Sequence, residues 1–238
     1  MTGFGSGPDL GVAAVPDWLS PLASSLLDRD RLAQVVVLRP GVGARRAAVL
    51  VLVGQGDDGP EILFVERAAT MRTHAGQIAL PGGAADPDDP DLAATAVREA
   101  VEETGVESHG ITVLGSLPAA HVAVSGFDVT AVVAWWQRPS PVRAVDPREV
   151  ASLHLVSVAE LTDPAGRVQV RHPSGYTGPG FQVRGMLIWG LTAYLIDAVL
   201  SLAGWQRPWD QSRMATIPER YLTDRRPGNE DGGGPDAH

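Results

Sequence analysis

The chain contains no cysteine and no lysine. The first absence excludes disulfides, thiolate nucleophiles and cysteine-based zinc sites. The second excludes Schiff-base chemistry at a lysine amine. Positive charge is scarce: 19 basic residues, all arginine, face 28 acidic ones, leaving a net charge of −9 over 238 residues. A surface of that sign is a poor match for nucleic acid or an anionic membrane, so neither is expected as a partner. The opening residues show no basic stretch followed by a long apolar one, so no secretory signal is read there and a cytoplasmic location is expected. One run, Met186 to Trp205, is long enough to span a bilayer, but it holds Asp197 and Gly190 in its interior. A mid-span carboxylate is costly in lipid, and the run is read as a buried C-terminal helix.

The length suits one sizeable core with appendages. Residues 1–44 read as a Gly- and Pro-rich extension with one amphipathic helix, "DWLSPLASSLLDRDRLAQ". Residues 45–205 read as the main domain, and 206–238 as a polar tail that is partly disordered, above all from about Arg225 onward. Two strand-like runs, Ala47 to Gly54 and Glu61 to Arg67, flank the turn-forming "QGDDGP" and predict a β-hairpin. A loop then leads to a helix from about Pro90 to Thr104, with Asp89 as N-cap and Gly105 just past the end. Further strands are read at "ITVLGSLP", "VTAVVAWW" and "ASLHLVSV", and "HPSGYTGPGFQVRG" (His172 to Gly185) as a Gly-rich loop able to cover a substrate. This order predicts an α+β fold, a sandwich around a mixed sheet, and not a regular βαβ alternation.

The helix carries the chemistry. Glu99, Glu102 and Glu103 share one face, opposite Ala93, Ala96, Val97, Ala100 and Thr104. An ordinary solvated face would look similar. Like charges at this spacing repel by about 0.2–0.5 kcal/mol per pair, however, and within the helix only Arg98 balances them. Just before the helix, Gly82 and Gly83 leave main-chain carbonyls open to close approach. Carboxylates plus a bare carbonyl make a hard-oxygen site suited to Mg²⁺ or Mn²⁺. Such ions share their shell with phosphates, which points to phosphoryl transfer with a spare glutamate as general base.

At these residues the sequence resembles the Nudix hydrolases, whose box is GX5EX7REUXEEXGU with U a bulky aliphatic residue. "REAVEETGV", Arg98 to Val106, matches the second half, with Ala100 at the first U. The first half departs: counted from Gly83, the box glutamate falls on Asp89, with eight residues before Arg98, and Asp86 or Asp89 is expected to supply that acid. The preceding "LFVERAATMRTHAGQIALPGG" resembles the signature of the coenzyme A pyrophosphatase branch, LLTXR(SA)X3RX3GX3FPGG. Arg67, Ala68, Arg72, Gly76, Pro81, Gly82 and Gly83 keep its spacing, while "LFV" replaces LLT and Leu80 replaces phenylalanine.

The resemblance implies a Nudix fold, an α/β/α sandwich with a mixed β-sheet and a loop-helix-loop box. It implies Glu99, Glu102 and Glu103 as metal ligands with the Gly82 or Gly83 carbonyl, and Arg98 orienting a glutamate. Glu103 and Glu149 are the two candidates for general base. Arg67 and Arg72 would clamp phosphate, with Gln77 beside them as a third substrate-binding candidate. The implied reaction is Mg²⁺- or Mn²⁺-dependent hydrolysis of CoA or acyl-CoA to 3′,5′-ADP and 4′-phosphopantetheine or its acyl form. Two alternatives stand beside it: another nucleoside diphosphate derivative (ADP-ribose, NADH, a modified dNTP), or a non-catalytic nucleotide-binding domain. Oligomeric state is left open by the sequence, a homodimer being the commonest assembly for a soluble oligomer.

Overall fold

The protein is described from a computed structural model, which covers residues 15–36, 41, 45–71, 74–122, 125–172, 175 and 177–221. In chain order the elements are α1 (Ser20–Leu27), α2 (Arg29–Val35), β1 (Arg45–Gly56), β2 (Gly59–Arg67), β3 (Ile78–Ala79), β4 (Gly82–Ala84) and α3 (Leu92–Thr104). There follow β5 (Ile111–Ser116), β6 (Ala120–Val122), β7 (Phe127–Trp136), β8 (Val150–Ser157), α4 (Val158–Leu161), β9 (Arg167–Arg171), β10 (Thr177–Val183), β11 (Met186–Ile188), α5 (Gly190–Leu202) and β12 (Met214–Thr216).

The main sheet is mixed. Its centre is β1, parallel to β7 on one side and antiparallel to β2 and β4 on the other. Outward from there, β2 takes β3 and β8, and β7 takes β5 and β6. Alternation along β1 decides what covers each face. Ala48, Leu50 and Leu52 join Ala96 and Ala100 of α3 in one core, together with Leu63 and Trp136. Val51 and Val53 face the other way, into a core with Leu22 and Leu26 of α1, Leu32 of α2 and Ile196 and Leu200 of α5. The result is helix on both sides of a mixed sheet, as expected. A second sheet, ordered β11-β10-β9-β12, extends the molecule.

Several local expectations are corrected. The N-terminal helix is two helices: Asp28 leaves the helical region (φ −91, ψ 102) and its carboxylate accepts the Asp30 and Arg31 N–H groups, capping the second. The α3 N-cap is Asp91, which accepts Ala94 N–H at 2.8 Å, and not Asp89, whose oxygens are used elsewhere. Gly105 lies just past the end of that helix, as expected, and closes it in the left-handed region at φ 67. Met186–Ile188 is strand and not helix, because Arg184 (φ 51) and Gly185 (φ 76) form a tight hairpin turn that folds it back on β10. What remains, α5, has 13 residues, and no helix among the described residues is long and apolar enough to cross a membrane. Within the stretch read as a Gly-rich cover, His172 to Gly185, Thr177–Val183 is β10, paired on both sides by β9 and β11, and so is sheet and not a covering loop. In the region read as a polar tail, β12 lies parallel to β9 and Ile217 and Tyr221 are buried. The stretch from Arg225 lies outside the described residues.

Candidate active site

Gly82 and Gly83 are placed by pairing of β4 with β1, opposite Val49 and Ala48. A Cβ on Gly82 would lie 2.3 Å from the Ala48 carbonyl oxygen and 2.6 Å from Val49 Cα. A Cβ on Gly83 would lie 2.5 Å from the Glu99 carboxylate. At Gly82 only glycine lets this short strand lie against β1, whereas at Gly83 the close neighbour is the tip of a side chain. The Gly82 N–H donates to Glu103 Oε2 at 3.0 Å, tying loop to helix.

Arg98 organises the remainder. Its Nε and one terminal nitrogen donate to the two oxygens of Asp89, both at 3.0 Å, a fork-to-fork pair. Its other terminal nitrogen donates to Glu99 Oε1 at 2.9 Å and Glu102 Oε2 at 3.1 Å, and a further bond reaches the Ala84 carbonyl at 3.2 Å. Asp89 also accepts from Thr95 Oγ1 and the Asp86 N–H, and the Arg98 guanidinium holds its carboxyl well below the usual carboxylate range. Asp89, at the position of the box glutamate, thus anchors Arg98. Asp86 is exposed and accepts the Asp88 N–H.

Glu103 is 8% exposed. Burial pushes its carboxyl up to about 7, the Gly82 N–H and Arg67 restrain that rise, and the charges of Glu99 and Glu149 add to it. Glu99 is raised in the same direction by burial, against the pull of Arg98. Arg67 sits with a terminal nitrogen 4.0 Å from Glu103 Oε1, and its buried Nε has no hydrogen-bond partner among the described residues. Glu149 is exposed, at the head of β8, where its carbonyl accepts the Ala68 N–H at 2.8 Å. Antiparallel pairing of Arg67 with Val150 brings that loop beside Arg67. Gln77 donates to the Tyr221 carbonyl at 3.1 Å, while its oxygen lies 3.2 Å from His74 Nδ1. Arg72 lies outside the described residues.

The structure thus brings Gly82, Gly83, Arg98, Glu99, Glu102, Glu103, Arg67 and Glu149 to one region. Among the described residues no three acidic or histidine side chains converge closely enough to hold an ion in this arrangement. Glu99 and Glu102 turn to Arg98, and Glu103 turns to Gly82. The donor chemistry still fits a divalent cation. Three carboxylates share one face, burial disfavours the charge of two of them in the absence of a cation, and the missing Cβ of Gly83 keeps the backbone open beside Glu99. A cavity of about 490 Å³ lies instead between the first turn of α3 and β5 and β7, lined by Asp91, Val113, Ser116 and Thr130, and it includes none of these carboxylates.

The raised Glu103 predicts a pH effect on stability without metal. Between 4.5, its ordinary value, and about 7 the folded chain holds a proton that the unfolded chain has released. Stability contributed by this group is therefore complete below pH 4.5 and lost as pH rises through 7. At about 1.4 kcal/mol per unit the loss reaches up to about 3 kcal/mol. Urea unfolding in EDTA at pH 5 and pH 8 should show a larger drop for wild type than for Glu103→Gln; equal drops would remove Glu103 as the source.

Carboxylates clustered on one helix face beside a glycine strand are the donor chemistry of hydrolases that cleave phosphoanhydride bonds with a divalent cation. The comparisons with known proteins agree. The NUDIX domain family matches residues 44–174, so the chain belongs to the Nudix family, hydrolases of nucleoside diphosphate derivatives that use divalent cations. An uncharacterized Nudix hydrolase NudL of Cronobacter sakazakii is 38% identical over 185 residues, 74% of this chain and 93% of that protein. The NudL of Citrobacter koseri is 37% identical over 185 residues, with 73% and 93% covered. A crystal structure of a Nudix hydrolase from M. smegmatis, RenU, aligns with a TM-score of 0.43 at 27% identity, covering 50% of this chain and 74% of that one.

Proposed function

We propose that the substrate is coenzyme A or an acyl-CoA, cleaved at its diphosphate to 3′,5′-ADP and 4′-phosphopantetheine or its acyl form. The observation that carries this reading is Arg67. It is the first arginine of the stretch that resembles the CoA pyrophosphatase signature, and its guanidinium reaches to 4.0 Å from Glu103. A guanidinium placed there binds diphosphate oxygens beside the hydrolytic carboxylates. Arg72 would add a second cation from the same loop.

Glu99, Glu102 and Glu103, with the Gly83 carbonyl, would hold Mg²⁺ or Mn²⁺. When bound, such an ion neutralises charge on the phosphate oxygens and lowers the pKa of water. Arg98 holds Glu99 and Glu102 through one nitrogen and is itself fixed by Asp89, so the acidic face is oriented before any ligand arrives. One of two carboxylates takes the proton from the attacking water: Glu103, whose raised pKa suits a base near neutrality, or Glu149, exposed just ahead of β8. Retention of all three α3 glutamates speaks for an enzyme over a binding-only domain.

The test is a substrate panel with Mg²⁺ or Mn²⁺: CoA, acetyl-CoA, ADP-ribose, NADH and 8-oxo-dGTP. The highest kcat/KM is expected for a CoA compound, with both expected products formed and EDTA stopping the reaction. Preferential cleavage of ADP-ribose, NADH or 8-oxo-dGTP would overturn the CoA reading while leaving the family activity in place.

A further inference from the structure

We infer that the C-terminal segment ending at Tyr221 is a positioning element of the active site: it ties down the loop that aims Arg67, with Gln77 as the tie and not as a substrate ligand. The inference rests on the proposed role of Arg67. Ahead of β3 the chain turns through two residues with left-handed backbone, His74 at φ 58 and Gly76 at φ 68. A non-glycine residue in the left-handed region persists only where its surroundings hold it. Inside the turn Gln77 N–H donates to the His74 carbonyl at 3.1 Å.

Both main-chain groups of Arg67 are committed to this turn. Its N–H donates to the Gln77 carbonyl and its carbonyl accepts the Gly76 N–H, each at 3.0 Å. The direction in which the Arg67 side chain leaves β2 is therefore set by where residues 76 and 77 sit.

Those residues are fixed from outside the main sheet. The Gln77 amide donates to the Tyr221 carbonyl, across 144 positions of sequence. Tyr221 is 7% exposed and packs in a small core with Val168, Val170, Leu187 and Ile217 of the second sheet and its C-terminal extension. Its ring also passes 3.6 Å from where a Cβ of Gly76 would stand. The Ala68 end of the loop is held separately, by the Glu149 carbonyl. With both ends of its polar group engaged, by Tyr221 and by His74, Gln77 has its hydrogen bonds made within the protein. The second sheet thereby acquires a task in the chemistry of the first.

The experiment compares Gln77→Leu, Tyr221→Ala and the double variant, as full-length chains whose melting temperatures confirm folding. Hydrogen exchange should show lost protection at the Arg67, Gly76 and Gln77 amides in each variant, with β1 and β7 unchanged. With whichever panel substrate the wild type cleaves best, kcat/KM should fall by on the order of ten- to a hundredfold in each single variant, as expected of a misplaced phosphate-binding group. The double variant should be no worse than the singles, because Gln77→Leu removes the amide donor and Tyr221→Ala removes the ring packing that holds the Tyr221 carbonyl in place for it. Unchanged protection at those amides in folded variants would overturn the inference. So would a fall in activity of Gln77→Leu without that loss of protection, which would make Gln77 a direct substrate contact. If Tyr221→Ala fails to fold, exchange in Gln77→Leu decides. The exchange result does not depend on which substrate is cleaved, so failure of the CoA reading and failure of the tie are separately visible.

Discussion

Glu103→Gln is expected to lower kcat by about three orders of magnitude and leave the protein folded. The side chain is 8% exposed, so the replacement must fit its space, and glutamine does. Its amide oxygen can still accept the Gly82 N–H that Glu103 accepts at 3.0 Å. What disappears is a buried negative charge that burial already disfavours. The variant should therefore melt no lower than wild type at pH 8 while losing the carboxylate proposed to bind metal. Melting temperature and turnover on the best substrate, measured side by side, check both halves. A folded variant with near-wild-type turnover would take Glu103 out of the site.

The two glycines before α3 should fail in different ways when each is changed to alanine. At Gly82 the new methyl meets the backbone of β1, 2.3 Å from the Ala48 oxygen, and main chain in the sheet centre has nowhere to move. Gly82→Ala should lose about 2–3 kcal/mol of stability, as overpacked core positions do, and some activity with it. At Gly83 the methyl meets the tip of Glu99, which can swing aside. Gly83→Ala should keep most of its stability and lose about a hundredfold in kcat, because the displaced carboxylate is one of the three on the acidic face. Denaturant midpoints and turnover for the pair separate the two effects. Equal stability in both variants would contradict the packing account.

Much of this was legible in the sequence because the governing signals are local. The β1–β2 hairpin follows from two apolar runs around Asp57 and Asp58, and α3 from its periodicity and from Gly105. The acidic face needed only helical spacing. Misreadings arose where one short-range signal competed with another. Asp89 and Asp91 both look like N-caps, and only the demand of Arg98 for two carboxylate oxygens separates them. Met186–Ile188 is as apolar as the helix after it, and the decisive Arg184–Gly185 turn looks unremarkable by composition. The role of Tyr221 had no signal at all, since it offers a main-chain carbonyl that any residue would carry. Gln77 stood out by its place beside Arg67 and Gly76, but not by the partner it finds.

The central claim is that the acidic face of α3 binds the divalent cation on which hydrolysis depends. Calorimetric titration of Mn²⁺ into the wild-type protein, and into Glu99→Gln, Glu102→Gln and Glu103→Gln, tests it without reference to any substrate. Saturable binding to wild type, weakened about tenfold or more in each variant, is the predicted result. Binding of equal affinity and stoichiometry in all four proteins would place the metal elsewhere and contradict the account.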